Sequence, residues 1–83
     1  MAKVLEALIA KGRRVRRPRE QKEVAFGLAD LSTHEDLLEK IVQKGGVKSL
    51  LTLMTKSQDP DAQRFSALAL GNCSSASFNR LRF

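Results

Sequence analysis

Side chains able to do chemistry are sparse in this chain. It carries one histidine, His34, and one cysteine, Cys73. A structural zinc site needs about four closely spaced ligands, which this pair cannot supply, so no metal is expected. His34 reads as a polar residue at a helix start and Cys73 as a small core hydrophobe. A single cysteine cannot close an intramolecular disulfide, and the expected setting is reducing and intracellular, cytoplasmic or nuclear. Ser74, Ser75 and Ser77 cluster together, yet no base is spaced to activate a serine there, and turn or cap roles account for them. Gly45-Gly46 lacks the preceding strand and the Lys-Ser/Thr pair of a phosphate-binding loop, so it reads as a turn. The expectation is a protein without catalytic residues, cofactor or metal, and not an enzyme.

The densest charge is the tract Lys11, Arg13, Arg14, Arg16, Arg17 and Arg19, which supplies most of the formal net charge of +6. Such a cluster can contact nucleic acid or act as a nuclear-targeting signal, and its binding would depend strongly on salt. No aromatic side chain interleaves with the arginines to stack on bases, which counts against a single-strand reading. A solvated basic connection between helices is the primary reading of the tract, and a nucleic-acid or nuclear role the alternative.

The elements that must position these residues are helical by their apolar period. Val4, Leu5, Leu8 and Ile9 set a first helix over residues 3–11, which Gly12 is expected to end. Pro18 suits the first turn of a second helix running to about Leu31, with Val24, Ala25, Leu28 and Leu31 on one face. Ser32-Thr33-His34-Glu35 has the form of a capping box for a third, short helix carrying Leu37, Leu38, Ile41 and Val42, ended by Gly45-Gly46. Val47, Leu50, Leu51 and Met54 recur at i, i+3, i+4, i+7 in a fourth helix with one buried face. Asp59 and Pro60 then cap and open a fifth over residues 61–74, burying Phe65 or its neighbours with Ala67, Leu70 and Cys73. Phe78, Leu81 and Phe83 are expected to begin another short helix. No run of about 20 apolar residues could span a bilayer, and the apolar stretch near the start is not a secretory signal, because it contains Glu6 and its basic cluster follows it.

These helices repeat. Shifted by 42 residues, Leu8 falls on Leu50, Pro18 on Pro60, Gln21 on Gln63, Ala25 on Ala67, Leu28 on Leu70 and Ser32 on Ser74. Near-matches follow the same step: Ile9 with Leu51, Lys22 with Arg64, Phe26 with Leu68, Asp30 with Asn72. A period of about 40 to 47 residues belongs to stacked helical solenoids, whose units bury their apolar faces only against neighbours. Both ends are therefore expected to expose apolar surface, with self-association as a consequence.

The order short helix, Gly-rich turn, helix, Asp-Pro connection and long helix resembles the armadillo repeat. The stretch from Ile41 through Gly45-Gly46-Val47 to Leu50-Leu51 carries that resemblance, together with Asp59-Pro60 through Ala67-Leu68-Ala69-Leu70-Gly71-Asn72. Two-helix HEAT repeats are the nearest competitor, and the separate short helix before Gly45-Gly46 counts against them. The resemblance implies an all-α, right-handed armadillo-type α-solenoid of about two repeats. Residues 1–33 would be the second and third helices of a partial repeat, 34–75 a complete repeat, and 76–83 the start of another. It further implies a non-enzymatic scaffold whose third helices line a concave groove for extended segments of partner proteins. In many family members a Trp and an Asn four residues later face that groove. Leu68 and Asn72 occupy those positions here, and Phe26 and Asp30 do so one repeat earlier. The missing Trp residues set the chain apart from members that capture basic nuclear-localisation signals.

Overall fold

The computed structural model describes residues 2–81, and side chains for residues 3–74. Its elements are α1 (Ala2–Arg14), α2 (Pro18–Leu31), α3 (Glu35–Gln43), α4 (Gly46–Lys56) and α5 (Pro60–Leu81), with no strand among the described residues. The chain is all-α.

Each boundary has a local cause. Arg17, preceding Pro18, is extended at φ −78°, ψ 131°, because the proline ring disfavours helical geometry there. Between α3 and α4 the backbone reverses at Gly45, whose φ of +82° lies in the left-handed region that a side chain disfavours. Gly46 is required by space: a methyl there would stand 2.7 Å from the Ile41 carbonyl oxygen and overlap the Ile41 side chain. Asp59 caps α5, its carboxylate accepting from the Asp61 amide at 3.0 Å.

The helices form two stacked pairs, α1–α2 and α4–α5, with α3 lying against α4 and α5. The α2–α5 contact is the most extensive. Its pairings advance in the same direction along both helices, from Lys22 with Asp61, to Phe26 with Phe65, to Ser32 with Asn72. The two helices are therefore parallel, one repeat step apart. α1 and α4 approach so closely that a methyl at Gly12 would lie 3.3 Å from both Ser49 Cβ and Leu53 Cδ1. At this crossing the Ser49 hydroxyl donates to the Ile9 carbonyl at 2.6 Å. The core between the pairs holds Leu5, Ile9, Val24, Ala25, Leu28, Ile41, Leu50, Leu53, Ala62, Ala69 and Cys73. Full burial of each large member contributes roughly 1.5–3 kcal/mol.

Five expectations are corrected. Gly12 does not end the first helix, since α1 continues to Arg14 and the missing side chain instead admits α4. Ser32 is not the cap of α3: it ends α2, its hydroxyl donating to the Ala29 carbonyl at 2.6 Å, and His34 flanks α3 without a side-chain cap bond. In α4 the buried side is Ser49, Leu50 and Leu53, while Leu51 is exposed. In α5 Ala62, Ser66, Ala69 and Cys73 are buried and Ala67 is exposed. No new helix starts at Phe78, because α5 runs unbroken to Leu81. The exposure expected of the Phe78, Leu81 and Phe83 side chains lies outside the described residues.

Candidate functional site

Parallel neighbouring helices a repeat step apart present equivalent positions side by side, and α2 and α5 do so with apolar groups. Phe26 on α2 and Leu68 on α5 are 56% and 55% exposed. Phe26 does not stand alone. The half-buried Phe65 ring meets it edge to face, with centroids 5.2 Å apart and planes at 76°. This is the favoured geometry for an aromatic pair. Phe65 roots the exposed ring on the adjacent helix, so the apolar surface is continuous from α2 to α5.

One turn further along each helix lie Asp30 and Asn72. Asp30 is exposed. Asn72 is half-buried, and its Nδ2 donates to the Ser32 hydroxyl at 3.0 Å. Ser32 in turn donates to Ala29, so the Asn72 amide is fixed in orientation by a buried relay from α5 to the end of α2. All four residues singled out from the sequence thus fall on one pair of helices, with Asn72 also bridging the two. Phe65 or its neighbours were expected to be buried, and Phe65 is half-buried, packed against the core while meeting the Phe26 ring.

Sequence reasoning missed Gln21. It is buried, donating to the Val15 carbonyl at 3.4 Å and accepting from the Gln58 amide at 3.2 Å. It ties the α1–α2 connection to the α4–α5 connection. Gln63 repeats the first bond one step later, donating to the Ser57 carbonyl at 2.8 Å. The identity of a polar residue at equivalent repeat positions was the available signal.

The basic tract is divided by the fold. Arg13 and Arg14 belong to the last turn of α1, where cations complement the helix dipole. Arg16 and Arg17 lie in the connection and Arg19 in the first turn of α2. Arg13 donates to the Gly45 carbonyl at 3.3 Å. Among the described residues Arg14, Arg16, Arg17 and Arg19 are exposed and form no ion pair.

A shallow cleft of about 360 Å³ is lined by Glu6, Ile9, Ala10, Arg13 and Lys44. Within it Lys44 and Glu6 are paired at 2.6 Å, while Arg13 is turned to the Gly45 carbonyl. The Lys44 hydrogen bond and charge hold the Glu6 carboxyl below its ordinary range. Cys73 is buried in α5, and burial pushes its thiol up, away from a reactive thiolate. His34 is exposed. No group of three or more metal-binding side chains occurs among the described residues, and no described helix is long and apolar enough to cross a membrane.

No family model, curated protein or solved structure matches this chain.

Proposed function

We propose that this chain is a non-enzymatic protein-interaction module of armadillo type, a right-handed α-solenoid segment whose repeat spans residues 34–75. It binds extended segments of partner proteins across α2 and α5. The observation that carries this reading is the continuous apolar strip Phe26, Phe65, Leu68, flanked one turn away by Asp30 and Asn72. Such a surface suits an extended strand: the rings and Leu68 take its side chains, while an oriented amide can bond its backbone. The relay to Ser32 holds Asn72 in place before a ligand arrives, lowering the entropy lost on binding.

The test is to pan a display library of extended peptides against the full chain and measure selected peptides with variants. Phe26→Ala with Leu68→Ala is expected to weaken binding at least tenfold, while the stability lost is limited to about the 0.5–1.5 kcal/mol of the Phe26–Phe65 ring pair, since both side chains are more than half exposed. Asn72→Ala is expected to weaken binding as well. Selected peptides indifferent to all three substitutions would remove the reading.

A second reading rests on the unpaired arginines: binding of a nucleic acid or another polyanion. Its mark is affinity that falls steeply between low and physiological salt and is lost on replacing Arg14, Arg16, Arg17 and Arg19 by Gln.

A further inference from the structure

Two exposed charges on α2 stand against its dipole. A helix carries partial positive charge at its N-terminus and partial negative charge at its C-terminus, so anions are favoured in the first turn and cations in the last. Arg19 lies in the first turn of α2 and Asp30 in the last, which holds no basic residue. Both are exposed, and neither forms an ion pair among the described residues. Glu20 does not compensate Arg19, because adjacent residues do not face each other on a helix. The charges around the apolar strip are divided in the same way. Toward the helix N-termini, Lys22 and Arg64 share the one carboxylate of Asp61, at 3.2 and 3.9 Å. Toward the other end, no Lys or Arg occurs from Phe26 to Asp36 or from Phe65 to Ser74, where Asp30, Glu35 and Asp36 are the charged residues.

From this inverted charge pattern we propose that the strip takes a peptide segment of mixed charge. A carboxylate of the segment meets Arg19, Lys22 and Arg64, a large apolar side chain sits on Phe26, Phe65 and Leu68, and a cation meets Asp30. The inference rests on the strip being a peptide site, and it specifies the ligand. Helix geometry sets the spacing. Lys22 and Arg64 lie four residues before Phe26 and Leu68, and Asp30 and Asn72 four residues after them. At about 1.5 Å per residue, each of these steps is roughly 6 Å along the α2–α5 seam. An extended strand rises about 3.3 Å per residue and returns to the same face every second residue. About two ligand residues therefore cover each step. Laid along the seam, the segment reads acid, any residue, large apolar residue, any residue, base.

Other occupants match one end only. A wholly basic segment would set its cations against Lys22 and Arg64, and a wholly acidic one, or a nucleic-acid backbone, would set its anions against Asp30. Each leaves one of the two α2 charges uncompensated, whereas the mixed segment neutralises both. A second copy of the chain does not supply the segment either. Asp36, Leu38 and Lys40 have the required order, but they lie in α3 and Leu38 is buried.

The experiment selects peptides from a display library on the full chain at low ionic strength, where exposed charges are least screened. Peptides whose binding is lost with Phe26→Ala and Leu68→Ala are expected to carry a carboxylate two positions to one side of the apolar anchor and a Lys or Arg two positions to the other. A synthetic copy of the strongest is then titrated. Arg19→Glu with Arg64→Glu should weaken it about tenfold, a magnitude fitting two exposed charge pairs, and a Lys in place of the peptide's acid should restore it. Asp30→Lys should weaken it a few-fold, restored by a Glu in place of the peptide's base. Arg19→Glu and Asp30→Lys bring both charges into line with the helix dipole, so melting temperature should hold or rise while binding falls. A merely structural role for these residues would not produce that split. Strip-dependent peptides that lack the charge order, or that ignore these variants, overturn the inference and leave the strip a peptide site. If no selected peptide depends on Phe26 and Leu68, the underlying reading fails as well. Binding of a uridine oligonucleotide or of all-acidic peptides through Arg19 and Arg64, whatever stands at Phe26, Leu68 and Asp30, also overturns it and assigns the arginines to polyanions.

Discussion

The Ser66 hydroxyl shows how one atom can cost stability at a crowded crossing. Ser66 on α5 is fully buried, at the position Val24 holds one repeat earlier, and its Oγ has no hydrogen-bond partner among the described residues. An unpaired buried polar group costs about 1–3 kcal/mol, so Ser66→Ala is expected to raise stability by about 1 kcal/mol in denaturant melts. Lower stability in the alanine variant would mean the hydroxyl is satisfied. Ser49, buried on α4, is the opposite case, because its hydroxyl reaches the Ile9 carbonyl, and its loss should cost about 1 kcal/mol. Glu6 sets a pH signature. Its carboxyl is held low by the Lys44 hydrogen bond and charge, so the pair stabilises the fold above the ordinary carboxyl pKa. That contribution is lost as pH falls through the lowered value. Lys44→Met should return the Glu6 titration, followed by NMR, upward to the ordinary range; a midpoint that stays put would refute the assignment.

At the scale of elements, helix type and order were legible because the apolar residues recur at 3.6-residue spacing and Pro18, Pro60 and Gly45-Gly46 punctuate them. What period alone could not supply was which side of each stripe is covered. Val47, Leu50, Leu51 and Met54 look equivalent on a helix wheel, but only Leu50 is buried, in the core that α4 shares with α5, α1 and α3. Gly12 was misread for the same reason, since a glycine after an apolar run signals a helix end unless a crossing helix needs the space. The candidate site was legible in its members Phe26, Leu68, Asp30 and Asn72, whereas the support given by Phe65 and Ser32 depends on tertiary pairing. The turn glycines make a sharper prediction. Gly45→Ala meets backbone strain worth about 1–2 kcal/mol at a positive φ, its nearest neighbour being the flexible end of Arg13. Gly46→Ala drives a methyl into the Ile41 carbonyl and should cost about 1–3 kcal/mol by overpacking. A longer side chain at 46 should then be worse still, while one at 45 should cost little beyond alanine. Equal penalties for Ala and Leu at both sites would undo this distinction between strain and space.

For the whole molecule, the decisive asymmetry is that one sequence pattern is used twice in unequal surroundings. Ile9 and Leu51 occupy equivalent positions on α1 and α4, but the first is 4% exposed and the second 45%. Truncating a buried aliphatic side chain costs about 2–5 kcal/mol, because transfer energy is lost and a cavity remains. Substitutions at exposed positions usually stay within about 0.5 kcal/mol. Ile9→Ala should therefore bring the chain close to unfolding, given the small margin available to a domain of this size, while Leu51→Ala should shift the urea midpoint by a small fraction of that. Comparing the two at several protein concentrations tests the asymmetry directly. Similar losses at both positions would show that Leu51 is already covered in solution. A Leu51→Ala loss that grows with protein concentration would identify the cover as another copy of the chain. A small loss independent of concentration leaves the α4–α5 face open, with the apolar surface that its repeat partner has already buried.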